Sequence, residues 1–362
     1  MLSSFLIDWT RTKMDYLTPA QSAYSWTSNS SLNNSCGINF TIDSVFLPVL
    51  YGIFFTVGIP LNLLALYGLY RLVKSENVLP VYVINLLLSD LLQLITLPLW
   101  IDYYSRKHIW RFGPSTCQAV GLIFYISLYA GIFFLCVIAL ERHLAIAWPL
   151  KFQALRRLQY ARWVALGLWV VVAVPPSVAF GVLFPKNKED ITFCIEKYPS
   201  DQNFTIYRLI TLVLSFVIPF SFIGILHRKT LKSLAEVSSL ASEEKWRIQG
   251  LLNLVIIIFV LVLGPYHFIG SVKYVVLLFH PNICEWEKSI FVFYQLGRVL
   301  LSLNSLLDPI LYIFLRKDFQ EVICMAVPCL SRKQNGLEPS RTSPSFSKPI
   351  DRLTNSTIDS EM

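Results

Sequence analysis

Residues 115–147, STCQAVGLIFYISLYAGIFFLCVIALERHLAIA, decide the architecture of this chain. No charged residue or histidine stands between Cys117 and Glu141. A helix needs roughly 20 mainly apolar residues to cross a hydrocarbon core. Backbone polar groups in lipid must be satisfied within their own segment, so the run reads as a helix. At about 1.5 Å of rise per residue, Cys117 and Arg142 lie roughly 37 Å apart, on opposite faces of a membrane. Working outward, similar runs occupy residues 44–71, 79–104, 161–184, 204–230, 246–279 and 288–315. The expected fold is therefore an all-α membrane protein, a bundle of seven transmembrane helices. The hydrophobic fraction of 54% agrees with a polytopic chain and not with a soluble core.

Basic residues set the orientation. Arg71 and Lys74 follow the first run; Lys151, Arg156, Arg157 and Arg162 follow the third. Arg228, Lys229, Lys232, Lys245 and Arg247 follow the fifth, and Arg316 and Lys317 open the tail. Short connections rich in Lys and Arg stay cytoplasmic. The expectation is a multi-pass plasma-membrane protein with its N-terminus extracellular. The net charge of +8 follows from this topology and implies no nucleic-acid partner. Sequons at Asn29, Asn33, Asn39 and Asn203 all fall on the outer side, where glycosylation occurs; a fifth, at Asn355, falls inside and should stay bare. Met1 to Ile7 are too short and poorly flanked for a cleaved signal peptide, so the first helix is expected to direct insertion.

Residues 1–43 thus form an extracellular glycosylated leader and 44–315 the bundle. Phe314, Phe319 and Ile323 recur at helical spacing among Arg316, Lys317 and Gln320, which predicts a short amphipathic eighth helix over 316–330. Residues 331–362 read as a disordered cytoplasmic tail, with Ser340, Thr342, Ser343, Ser345 and Ser347 suited to kinases. Cys36, Cys117, Cys194 and Cys284 face an oxidising compartment, where disulfides are expected in one of three pairings. Cys136 should pack as a small apolar residue. Cys324 and Cys329 are either palmitoylated or free thiols.

Charges inside membrane helices are costly and rare, so each is a functional candidate. Away from the rims they are Asp90, Glu141, Arg142, Arg298 and Asp308. Glu141-Arg142-His143 resembles the Asp/Glu-Arg-Tyr motif of rhodopsin-like (class A) G-protein-coupled receptors. Asp308-Pro309-Ile310-Leu311-Tyr312 resembles that family's Asn/Asp-Pro-x-x-Tyr element. Asn62, Leu86, Ser89-Asp90, Trp169, Pro219 and Pro265 match further signature positions in the expected helices.

The resemblance implies a receptor, not an enzyme, with a heterotrimeric G protein as partner and arrestin engaging the phosphorylated tail. It implies that Arg142 is held by Glu141 at rest and released on activation. Tyr312, Pro265 and Pro309 would belong to the same switch, the prolines as bend points that lack a backbone hydrogen bond. It implies the pairings Cys117–Cys194 and Cys36–Cys284. Three positions depart from the family pattern: Leu263 replaces an aromatic, His227 a tyrosine, and Lys245 the acid that some members place against the arginine.

Within the family the chain is most similar to the proton-sensing and lysolipid receptors. Thr96-Leu97-Pro98-Leu99-Trp100-Ile101-Asp102-Tyr103, Gly264-Pro265-Tyr266-His267 and Thr192-Phe193-Cys194-Ile195-Glu196-Lys197-Tyr198-Pro199 carry that likeness. A proton sensor needs groups that titrate near neutrality. His108, His267 and His280 stand toward the outer half, fewer than the resemblance implies for a strong acid sensor. The resemblance also implies a buried acid triad. Asp90 and Asp308 supply two members, but the third position holds Val172. The alternative for Asp90 and Asp308 is a hydrated structural pair with Asn62 and Asn304 around a sodium ion; no other cofactor is expected.

Against proton sensing stands an acidic lipid or another small anion, such as a nucleotide. Arg298 lies about three turns outside Pro309, Arg208 about three outside Pro219, and Lys273 about two outside Pro265. Arg grips phosphate or carboxylate through paired hydrogen bonds. Tyr125, Tyr129, Phe124 and Tyr266 could wall such a pocket, His267 is either a donor to it or a satisfied core histidine, and Arg208 and Lys273 could instead snorkel to headgroups. Inverted repeats, nucleophile–base sets and metal-ligand spacings are absent from the sequence, against a transporter or a membrane enzyme. A binding scaffold with weak G-protein signalling is the remaining competitor.

Overall fold

The computed structural model describes residues 36–73, 78–148, 157–183, 193–195, 198–237, 241–281 and 283–315. Among the described residues every regular element is helical, and seven helices are long and apolar enough to cross a membrane. They are α1 (Asp43–Val73), α2 (Leu79–Ser105), α3 (Pro114–Ala147), α4 (Leu158–Leu183), α5 (Gln202–Glu236), α6 (242–279) and α7 (Cys284–Leu315). Prolines without a backbone N–H sit in the first turns of α2 and α3, where none is needed. They interrupt where one is needed. Pro98 follows a break in α2 at Ile95 and Thr96, and the Thr96 hydroxyl caps the break by donating to the Gln93 carbonyl at 2.7 Å. Pro265 follows a π-helical turn, Phe259–Leu263, that divides α6 into Ser242–Ile258 and Gly264–Phe279.

Several helices outrun their apolar stretches. α5 continues to Glu236 instead of stopping at residue 230, α6 begins at Ser242, and α7 begins at Cys284. Hydropathy marks the hydrocarbon layer, and a helix that satisfies its own backbone has no reason to stop at that boundary.

α3 is the axis of the bundle and packs on α2, α4 and α5. In its most apolar window 67% of residues are buried, against 22% in α4, whose Val170, Val171, Val174 and Val178 face outward. Such exposure suits lipid as solvent. Two disulfides, Cys117–Cys194 and Cys36–Cys284, close the end of the bundle that the sequence places outside. The first seats the second outer loop on α3. There Gly121 leaves room for Ile195, whose Cδ1 lies 1.7 Å from where a Cβ would stand. Asn39 is exposed and Asn203 is half-buried in the first turn of α5. Asn29, Asn33, the amphipathic segment 316–330 with Cys324 and Cys329, and the tail 331–362 lie outside the described residues.

Candidate functional site

Three cations from three helices meet below the end of the bundle that carries both disulfides. Arg208 on α5, Lys273 on α6 and Arg298 on α7 are 2%, 3% and 7% exposed and line one small cavity with Tyr125 of α3. Arg208 donates through Nη2 to the hydroxyl of Tyr266 and, at 3.1 Å, to that of Tyr294. Its guanidinium lies 4.8 Å over the Tyr125 ring, and its buried Nε makes no hydrogen bond among the described residues. Lys273 Nζ stands 4.8, 5.2 and 5.3 Å from the ring centres of Tyr294, Tyr198 and Tyr274. It also faces Glu287 Oε1 at 3.9 Å. Arg298 stacks over Trp100 at 5.8 Å and Tyr104 at 5.9 Å. Aromatic faces attract cations, but the burial of one charge still costs on the order of several kcal/mol.

Sequence reasoning found the cations and Tyr125 but missed Tyr198, Tyr274, Tyr294 and Glu287. Glu287, Tyr294 and Arg298 stand seven and four residues apart, one face of a helix, which is the signal that could have found two of them. Glu287 is fully buried. Its carboxylate accepts the Ser200 backbone N–H at 3.2 Å and the Ser200 hydroxyl, tying the second outer loop to α7. Tyr266 is not on the cavity wall; it stands behind Arg208 and holds it. α6 and α7 approach this closely because residue 297 is glycine: a Cβ there would lie 2.9 Å from Tyr266 Cα.

At the inner end Arg142 is closed on Glu141, with Nε at 2.7 Å and Nη2 at 2.6 Å from Oε2. The next residue, His143, links α3 to α5 through Nδ1 and the Thr230 hydroxyl at 3.0 Å. That hydroxyl donates to the Leu226 carbonyl at 2.7 Å, so Nδ1 must be the donor to it. Pro265 stands beside the π-helical turn, where the Gly264 N–H reaches the Phe259 carbonyl, and Pro309 and Tyr312 fall within α7.

The family model described as 7 transmembrane receptor (rhodopsin family) matches residues 61–312. The chain belongs to the rhodopsin family. It is a multi-pass membrane receptor and not an enzyme. Mouse G-protein coupled receptor 68 is 31% identical over 86% of this chain and 86% of its own length. Human G-protein coupled receptor 65 is 32% identical over 75% of this chain and 83% of its own. Human Probable G-protein coupled receptor 132 is 27% identical over 82% and 78%.

In this rhodopsin-family bundle the acids and histidines proposed as proton sensors are spread over four places. Asp90 and Asp308 are buried between α2 and α7, where Asn304 donates to Asp308 at 2.8 Å. Val172, at the third position, is buried in the apolar core. His267 does not reach the cavity and is no part of its wall, because both its ring nitrogens are used elsewhere. Nδ1 donates to the Leu263 carbonyl at 2.7 Å, and Nε2 meets the Ser215 hydroxyl at 3.2 Å. His280 is exposed beyond the end of α6. His108 is fully buried and bonded through Nε2 to Asp43 at the start of α1, among the rings of Phe40, Tyr103, Tyr104 and Phe291.

Proposed function

We propose that this protein is a plasma-membrane G-protein-coupled receptor of the proton-sensing and lysolipid type, with its N-terminus outside, whose ligand is an extracellular acidic lipid or similar anion. The convergence of Arg208, Lys273 and Arg298 on one cavity carries this reading. Binding there would act on α5, α6 and α7 together. The π-helical turn and Pro265 in α6 offer the bend through which the inner end could move away from Arg142 toward a heterotrimeric G protein. Arrestin would engage the phosphorylated tail. In cells carrying cAMP, calcium and Rho reporters, acidic lipids should elicit a response that Arg298→Ala and Arg208→Gln reduce more than tenfold at normal surface expression. An unchanged response in both would remove the cavity from the account.

One observation favours protons as a second signal. A proton on His108 turns its buried contact with Asp43 into an ion pair, so acid would tighten the junction of leader, α1 and the first outer loop and alkali would loosen it. Stepping external pH from about 8 to 6 tests this. A sigmoidal response lost in His108→Phe supports it; a flat one leaves the anion alone.

In this proposal the interior acids form a hydrated structural pair with Asn62 and Asn304 that would hold a sodium ion. One oxygen each of Asp90, Asp308, Asn304 and Asn62 is buried without a hydrogen-bond partner among the described residues. Hard oxygen donors with negative charge fit such a cation, which would neutralise the carboxylates there.

A further inference from the structure

We propose that Arg208 and Tyr266 form the resting latch of this receptor, and that an oxyanion in the cavity activates it by drawing Arg208 off Tyr266. The proposal rests on the anionic-ligand reading above and names the side chains that pass its signal to α6. The latch sits at the bend. Tyr266 is the first residue after Pro265, just beyond the π-helical turn that divides α6. Its hydroxyl is held by Arg208 of α5. Its backbone lies against Gly297 of α7, where a Cβ would come within 2.9 Å of Tyr266 Cα. Tyr266 is therefore fixed from two helices at the point about which α6 would swing. In the same structure Arg142 is closed on Glu141, so the latch belongs to the resting state.

The chemistry of Arg208 makes the latch releasable. Among the described residues its guanidinium donates only to neutral groups, the hydroxyls of Tyr266 and Tyr294, both through Nη2. A guanidinium grips an oxyanion along one of two edges, Nη1 with Nη2 or Nε with Nη2, because Cδ blocks the third. Nη2 belongs to both edges, and its two hydrogens are already given to the tyrosines. A paired grip must therefore take one of them back. An ionised acceptor adds an attraction between charges that a phenol oxygen lacks, and in a buried site that attraction is strong, so the oxyanion wins the exchange. Tyr294 lines the cavity and can stay beside the incoming group. Tyr266 stands behind Arg208, off the wall, and is left when the guanidinium moves inward. The outer half of α6 then loses its hold on α5 at the bend.

The first arm of the test needs no ligand. Tyr266→Phe keeps the ring and removes the latch. It should raise ligand-independent signalling per surface receptor about tenfold, since a hydrogen bond to a charged group is lost from the resting state alone. A merely structural tyrosine would instead lower expression and signalling together. His267→Phe loses two buried hydrogen bonds one residue on, without touching Arg208, and should leave signalling at the wild-type level. A bimane on Lys245→Cys, with Cys324→Ser and Cys329→Ser, reads the movement of the inner end of α6 in nanodiscs without any G protein. Should Tyr266→Phe fail to reach the membrane, Arg208→Gln gives the same ligand-free readout. In the second arm oleate and 1-oleoyl-glycerol 3-phosphate are titrated on wild type and Tyr266→Phe. Whichever binds the wild type should bind the variant at least as tightly, because no tyrosine competes, and add little further signal or movement. An unchanged basal signal with an unmoved bimane in Tyr266→Phe, or a rise shared by His267→Phe, overturns the latch while the anion reading stands. A basal rise in a receptor that binds neither lipid overturns the oxyanion as trigger, and the anion reading with it.

Discussion

Tyr266 and His267 are neighbours in the chain, yet one residue turns a helix by about 100°, and their side chains part. Tyr266 meets Arg208, while His267 turns to Ser215 and stacks on Phe216, 5.0 Å between ring centres. A sequence shows which residues share a turn but not how the helix is rotated against its neighbours, so Tyr266 looked like a pocket residue and His267 could be read either way. The cations were legible because charge in an apolar run needs a reason. Tyr294 was not, because tyrosine is ordinary at the edge of a membrane helix. His267→Phe should therefore lower the melting temperature, through the loss of two buried hydrogen bonds worth about 1–3 kcal/mol, and leave anion affinity unchanged. Tyr294→Phe should lower both. Without the hydroxyl that positions Arg208, affinity for an acidic ligand should fall about tenfold, a loss of about 1.4 kcal/mol, and melting should fall as well because a buried hydrogen bond to a charged group is lost. Parallel thermal-shift and binding curves on both variants would show the roles exchanged if the placement is wrong.

α6 and α7 show how much of an element the sequence carries. Their apolar spans and prolines were plain, and Pro265 foretold a bend. The π-helical turn before it was not foretold, because such a turn depends on how Phe259 and Leu263 pack, and both are fully buried. Nor was the closeness of α7 to α6, which rests on Gly297. Gly297→Ala would press a methyl group to 2.9 Å from Tyr266 Cα and 3.2 Å from its backbone nitrogen. Backbone cannot step aside as a flexible side chain can. The expected cost is about 1–3 kcal/mol, with a fall in ligand response beyond any fall in surface expression, because the shifted backbone carries Tyr266 and the opposing helix carries Arg298. At Gly167 on α4, by contrast, an added methyl group would meet nothing within 4 Å among the described residues. Gly167→Ala should be neutral or stabilising by up to about 1 kcal/mol, since alanine favours helix. Melting curves of the two variants separate close packing from a general intolerance of alanine.

The bundle as a whole is polar along its inner seam and tied at its outer rim, and the two features call for different perturbations. Along the seam, a bound cation stabilises the folded receptor in proportion to the logarithm of its concentration. Replacing choline by sodium at constant ionic strength should raise the melting temperature of the wild type and not of Asp90→Asn. At the rim, the oxidising context foretold disulfides and the family resemblance implied their pairing. The resemblance also implied that Cys36–Cys284 ties the leader to the top of the seventh helix, but not which side chains the bridge then brings together. It spans 248 residues and fixes the leader beside the start of α7, three residues before Glu287. Phe40 then packs on His108 and on Phe291, while Glu287 holds Ser200. Removing both cysteines, as Cys36→Ser with Cys284→Ser, should spare the bundle, because each transmembrane helix satisfies its own backbone in lipid and Cys117–Cys194 still seats the outer loop on α3. The loss should fall on the cap. Ligand affinity should drop several-fold through freedom at Glu287 and Lys273, and any acid response routed through His108 and Asp43 should flatten, since their junction no longer has a fixed roof. Surface expression, anion binding and a pH step on the double variant decide this together. Loss of expression would place the bridge in the fold of the bundle, and unchanged binding with an unchanged acid response would show that the cap closes without it.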